Sequence, residues 1–119
     1  ALVSAAPATP ARAASSIDEA MDGAEGLVNS TPLGMEGHPG SALPQNLIGQ
    51  GGWAFDAVYT PVETEFLLAA RSRGLDILSG YELFFHQGLD AFRLFTGGEP
   101  ETHALGRALL REKLKVASA

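Results

Sequence analysis

The chain has 119 residues, 45% hydrophobic and 18% charged, which suits one globular domain with a modest core and excludes a disordered polymer. A formal net charge of -6 and an isoelectric point near 4.9 argue against a nucleic-acid partner, whose phosphates call for concentrated Lys and Arg. The absence of cysteine excludes disulfides, thiolate nucleophiles and cysteine-ligated metals, and the longest apolar run is far short of a membrane span.

Residues 1–15 are low in complexity, carry Pro7 and Pro10, and read as a weak strand or loop. They lack the charged start and apolar core of a signal peptide. The chain does not open on Met, so residues upstream of Ala1 are expected. Ser16 is placed to cap a short helix, with Glu19 three residues on completing a capping box, and Gly23 ends it. Residues 27–30 predict a buried strand of the parallel-sheet type, apolar and then abruptly polar. The Gly- and Pro-rich connection over 32–52 contains one helical turn near 44–48, and a connection of that length suggests a functional or mobile loop.

A second strand is expected over 53–59, between Gly51-Gly52 and Thr60-Pro61. An amphipathic helix over 64–73 turns Phe66, Leu67, Ala69 and Ala70 inward and stops at Gly74. Residues 75–78 form a third strand. A helix over 80–96 follows, with Leu83, Phe84, Gln87, Ala91, Leu94 and Phe95 recurring near helical spacing, until Gly97-Gly98-Glu99-Pro100. It is apolar nearly all round, so part of it is expected to pack on residues outside this chain or on a neighbouring molecule. The last helix, 101–117, sets Leu105, Ala108, Leu109 and Leu114 on one side. Its basic residues Arg107, Arg111, Lys113 and Lys115 suit a helix C-terminus.

Strand and helix alternate, which predicts an α/β fold with a parallel sheet, although three strands are too few for a complete doubly wound sheet. Such sheets bind ligands beyond the carboxyl ends of their strands, which selects residues 29–32, 58–61 and 78–80. Asn29-Ser30-Thr31-Pro32 offers small polar side chains and backbone N–H groups to a ribose or pyrophosphate oxygen, though the same residues also suit a plain turn. Asp56 and Tyr59 point to opposite strand faces, so they are no acid–base pair, and Asp56 suits hydrogen bonding to nearby backbone. Gln87 falls on the apolar helix face, where a buried amide needs partners. His86 lies roughly 100° round the helix from it. No histidines share metal-ligand spacing, so no metal is expected. There is no nucleophile elbow, Walker loop or paired carboxylate set.

Three segments carry a resemblance. They are Asn29-Ser30-Thr31-Pro32-Leu33-Gly34-Met35, Asp56-Ala57-Val58-Tyr59-Thr60-Pro61, and the run from Gly80 to Gln87 with Asp90-Ala91-Phe92-Arg93-Leu94-Phe95-Thr96-Gly97 behind it. In this order they resemble the nucleotide-binding and C-terminal part of the shikimate/quinate dehydrogenase family, over about residues 16–100. Ser30 replaces the family's usual alanine, and Glu82-Leu83-Phe84 departs from its usual helix start. The resemblance implies the second part of a Rossmann-like sheet plus C-terminal helices, apparently an incomplete domain. Residues 16–97 would be the C-terminal part of the dinucleotide-binding domain and 98–119 a C-terminal helix. It further implies cofactor contacts at Ser30, Thr31, Pro32, Ala57, Gly80 and Leu83, and substrate contacts at Tyr59 and Gln87.

By the same resemblance, the full protein would pass a hydride between NADP or NAD and the ring hydroxyl or ketone of shikimate, quinate or their 3-dehydro forms. The catalytic Lys and Asp and the Gly-rich phosphate loop would belong to an upstream part, so no catalytic residue is assigned here and the 119 residues alone are expected to be inactive. A cytoplasmic enzyme is implied, and a homodimer stays open. The alternative is a non-catalytic nucleotide-binding module related to the family, favoured if no Lys/Asp pair exists upstream. A third class, an interaction domain, would bind no cofactor in a titration.

Overall fold

A parallel three-stranded sheet, ordered β1 (Gly26–Asn29), β2 (Trp53–Asp56) and β3 (Asp76–Ser79), forms the centre of the computed structural model, which describes residues 11–106 and 108. Gly26 pairs with Trp53 and Trp53 with Asp76, while Asn29 pairs with Asp56 and Asp56 with Ser79. All three strands therefore end on one level. α1 (Ile17–Met21) precedes β1, a single 3-10 turn (Gln45–Leu47) interrupts the first connection, α2 (Glu65–Ser72) joins β2 to β3, and α3 (Gly80–Thr96) leaves β3 directly. Residues 102–106 and 108 are helical again, and the rest of the predicted last helix lies outside the described residues.

The caps follow the sequence with one shift. Ser16 Oγ accepts from Glu19 N at 3.2 Å. The Glu19 carboxylate does not return to Ser16; it accepts from Ser15 N at 2.8 Å and Ser15 Oγ at 2.6 Å, with Arg12 alongside. The box thus closes one residue upstream, where the extended backbone before the helix brings both Ser15 donors within reach. Thr64 caps α2 by accepting from Leu67 N at 3.3 Å, and Gly74 ends it at φ 80°, beyond the reach of most side-chain-bearing residues.

α2 covers one sheet face. Phe66, Leu67, Ala69 and Ala70 bury themselves against Ala54, Leu27 and Ile77, as the helical periodicity predicts. The long first connection is more than a surface loop: Leu43 and Ile48 reach back into the same core. Leu75, placed by its apolarity in the third strand, is instead a core residue just ahead of it, so β3 starts and ends one residue later than expected.

The predicted burial of β1 holds for Asn29 but not for Val28, which is 59% exposed. Val28 lies in register with Phe55 and Leu78 on the face opposite α2, and the described residues leave that face largely open. β2 stops at Asp56 rather than Tyr59 because the Asp56 side chain takes the Val58 N–H at 2.9 Å and turns the chain out of the ladder.

α3 has its predicted bounds, closed by Gly97 at φ 68°. Its inward face differs from the expected one. Leu89 is buried and Tyr81 and Phe85 half-buried, a row at i, i+4 and i+8. Leu83, Phe84, Gln87, Leu94 and Phe95 are exposed. A helix apolar nearly all round offers several faces of similar hydrophobicity, and periodicity alone does not choose among them. Among the described residues no helix is long and apolar enough to cross a membrane.

Candidate functional site

The level ending of the strands puts three turns side by side, and a buried polar network joins the first two. Asp56 is fully buried, and its Oδ1 accepts from Asn29 Nδ2 at 3.0 Å and from Val58 N at 2.9 Å. Its Oδ2 accepts from Thr64 Oγ1 at 2.6 Å. Asn29, 1% exposed, donates also to the Leu33 carbonyl at 3.1 Å, while its Oδ1 accepts from Thr31 N at 2.9 Å and Thr31 Oγ1 at 2.7 Å. Every buried side-chain polar atom here has a partner. One carboxylate and one amide thus fix the ends of β1 and β2 and the start of α2.

The network revises part of the sequence expectation. Asn29 is an internal strut, not a ligand-facing group. Thr31 spends both of its donors on Asn29 Oδ1, and its Oγ1 accepts from Leu33 N at 3.3 Å, so it has no free N–H to present. Ser30, Thr31 and Pro32 are all exposed at the tip, and the Ser30 hydroxyl has no partner among the described residues. Asp56 bonds to backbone as expected, and its side-chain partners Asn29 and Thr64 were not foreseen. The signal was available: a polar residue at a strand end, and a Thr at a cap position eight residues after an Asp.

The second turn is held on both sides of Tyr59. Ala57 N donates to the Asn29 carbonyl at 2.9 Å, which leaves only the Ala57 carbonyl for a ligand. Glu36 N donates to the Thr60 carbonyl at 3.0 Å, tying the first loop to the second, and the Thr60-Pro61 bond is cis. Tyr59 is 49% exposed and stacks on Phe84 of α3, with ring centroids 4.8 Å apart and planes within 13°.

The third turn packs on the second. A Cβ built on Gly80 would fall 2.3 Å from the Ala57 oxygen and 2.6 Å from the Val58 oxygen, so only glycine admits this approach. Gly80, Leu83 and Gln87 follow one helical stripe at i, i+3 and i+7. Gln87 is exposed rather than buried, and its amide has no hydrogen-bond partner among the described residues. Ser79 donates to Glu82 in the first turn of α3. The six expected cofactor contacts and both expected substrate contacts therefore lie on the three turns at the carboxyl ends of the strands and on the first half of α3. A separate cleft, lined by Met21, Glu25, Leu27, Gln50 and Leu75, opens at the amino ends of the strands, away from these residues.

No protein-family model matches the chain. Individual proteins do. A quinate/shikimate dehydrogenase (NAD(+)) of Corynebacterium glutamicum is 44% identical over 94 residues, 79% of this chain and 33% of the relative. A shikimate dehydrogenase (NADP(+)) of Streptomyces avermitilis is 48% identical over 79 residues, 66% of this chain and 27% of the relative. The crystal structure of shikimate 5-dehydrogenase from Thermus thermophilus in complex with NADP(H) and shikimate superposes with a TM-score of 0.76 at 36% identity, covering 92% of this chain and 41% of that one. The chain thus spans about a third of the length of the curated relatives it matches. By sequence and by its parallel α/β architecture, the chain belongs to the quinate/shikimate dehydrogenase family.

Proposed function

We propose that residues 16–97 form the C-terminal part of the cofactor-binding domain of an NAD(P)-dependent shikimate or quinate dehydrogenase, with 98–119 as a following helix. The observation that carries this is the shared level of the three strand ends, because the first two segments of family likeness and the start of the third meet there. The residues fit the nicotinamide end of a dinucleotide: a backbone floor at Ala57 and Gly80, an apolar edge from Thr31, Pro32 and Leu83, and one free hydroxyl at Ser30.

When bound, the nicotinamide supplies or accepts the hydride that interconverts a ring hydroxyl and a ketone. The chain's own residues do the rest of what falls to this part. Ala57 offers its carbonyl oxygen to a carboxamide N–H, since its N–H is already spent. Leu83 and Pro32 wall the ring against water. Tyr59 and Gln87 offer a phenol and an amide to the hydroxyls of a polyhydroxylated ring substrate, and a free amide that can both donate and accept suits a hydroxyl. Proton transfer is left to a Lys and an Asp from a substrate domain outside this chain.

The test is Gln87→Ala in the full-length protein. Loss of one substrate hydrogen bond lowers kcat/KM by roughly 1–3 kcal/mol of transition-state stabilisation, with cofactor affinity unchanged. Because Gln87 is exposed, the variant folds normally. Wild-type kinetics in that folded variant would remove Gln87 from the substrate site. A cofactor titration that shows no NAD or NADP binding would sink the dehydrogenase assignment as a whole.

A further inference from the structure

We propose that Phe84 is a positioning residue for substrate recognition, acting through the Tyr59 ring rather than by touching substrate. The inference rests on the proposed substrate role of Tyr59. Three features combine. The backbone of Tyr59 is fixed from both neighbours, by the bond from Val58 N to Asp56 Oδ1 at 2.9 Å and the bond from Glu36 N to the Thr60 carbonyl at 3.0 Å. That leaves the two side-chain torsions as its freedom. The phenol is half-exposed and its hydroxyl has no partner among the described residues, so no hydrogen bond fixes the ring. The Phe84 ring lies parallel to it at 4.8 Å and removes that freedom.

Phe84 is itself placed by the same turn. α3 begins at Gly80, pressed onto the Ala57 and Val58 carbonyls, and Phe84 follows one helical turn later. The turn that carries Tyr59 thus also sets the helix that clamps Tyr59. A hydroxyl held in place before substrate arrives loses no rotamer entropy on binding, which is how preorganisation raises affinity. Phe84 is 41% exposed, so the described core does not account for its ring. A leucine would keep the apolar surface and lose the flat face.

The experiment uses the full-length protein with Phe84→Leu, Phe84→Tyr, Tyr59→Phe and the double variant Phe84→Leu/Tyr59→Phe. Thermal melts confirm that each is folded, and steady-state kinetics are taken with shikimate or quinate and with the preferred cofactor. Phe84→Leu is expected to raise KM for the ring substrate roughly two- to tenfold, the range expected for one lost aromatic stack, while KM for the cofactor stays put. Phe84→Tyr, which keeps the flat ring, should restore the wild-type value. In the Tyr59→Phe background the Phe84→Leu effect should vanish, because the hydroxyl it positions is gone. An equal Phe84→Leu effect with and without the Tyr59 hydroxyl overturns the proposal and leaves the role of Tyr59 standing. A Tyr59→Phe variant with unchanged substrate KM sinks the role of Tyr59 and this inference with it. A shift confined to cofactor KM also overturns it, since Phe84 would then act on the other ligand.

Discussion

Removing the Asp56 carboxyl group should destabilise the fold more than any exposed change at the site. The side chain is fully buried and accepts from Asn29 Nδ2, Val58 N and Thr64 Oγ1. In Asp56→Ala the three donors lose their acceptor together. Asn29 keeps the Leu33 carbonyl and the Thr64 hydroxyl can rotate, but the Val58 N–H has no substitute. At about 1–3 kcal/mol for each buried donor left unmade, and with two of the three partly rescued, the net loss is about 2–5 kcal/mol. Asp56→Asn separates the chemistry from the volume. Its remaining oxygen can still serve Asn29 and Val58, while its NH2 meets Thr64 Oγ1, a group that must already accept from Leu67 N. Only one contact is reversed, so the loss should be smaller by at least about 1 kcal/mol. Urea unfolding of the full-length protein measures both, provided the slope m is unchanged. An Asp56→Ala variant within about 1 kcal/mol of wild type would refute the view that this carboxylate holds the strand ends together.

Two further perturbations test the frame around the site. Gly80→Ala drives a Cβ to 2.3 Å from the Ala57 oxygen, and because the obstructing atoms are backbone the strain falls on the turn itself; a loss of about 1–3 kcal/mol is expected in urea unfolding, together with a raised KM for both ligands, and wild-type stability would show that α3 does not start where described. Glu19 has a carboxyl pKa held below its ordinary 4.5, first by the Ser15 hydroxyl, then by the Ser15 N–H and Arg12. A depressed folded value means the contribution of this cap is present above the unfolded pKa and is lost as pH falls through the lower, folded value. An NMR titration of the Glu19 carboxyl should give a midpoint under 4.5, and a midpoint at or above it would refute the capping bonds.

Local signals were legible where a residue acts on its own neighbours. Gly97 ends α3, Gly74 follows the end of α2, and Thr64 stands at its start, because glycine conformation and side-chain capping are short-range effects. The α2 face was legible too, with Phe66, Leu67, Ala69 and Ala70 buried as expected and Leu68 left 47% exposed on the outer side. Most of what failed needed partners distant in sequence. The face of α3 is chosen by what its row 81, 85 and 89 meets, not by its own composition. The early end of β2 is a local effect that strand periodicity hides, because an Asp that captures the N–H two residues on looks, in sequence, like any strand-end polar residue. The Tyr59–Phe84 stack joins two motifs read separately, and no property of either motif announces it.

The distribution of donors at the strand ends decides which part of a dinucleotide this chain can hold. Asn29, Thr31 and the N–H groups of Ala57 and Val58 are committed to one another. The first turn of α3, where an anion would gain from free N–H groups, instead carries Glu82 bonded to Ser79. The arginines among the described residues lie elsewhere: Arg12 ahead of α1, Arg71 and Arg73 at the end of α2, and Arg93 late in α3 between Asp90 and Glu99. A pyrophosphate would find no arginine or lysine side chain at these turns among the described residues. A nicotinamide ring and a polyhydroxylated substrate need little positive charge: they need flat apolar walls, a carbonyl, and a few neutral hydroxyl or amide groups. Ser30, Pro32, the Ala57 carbonyl, Tyr59, Leu83 and Gln87 present that set among the described residues, which on the proposed reading suits the nicotinamide and substrate end of the site rather than the phosphates.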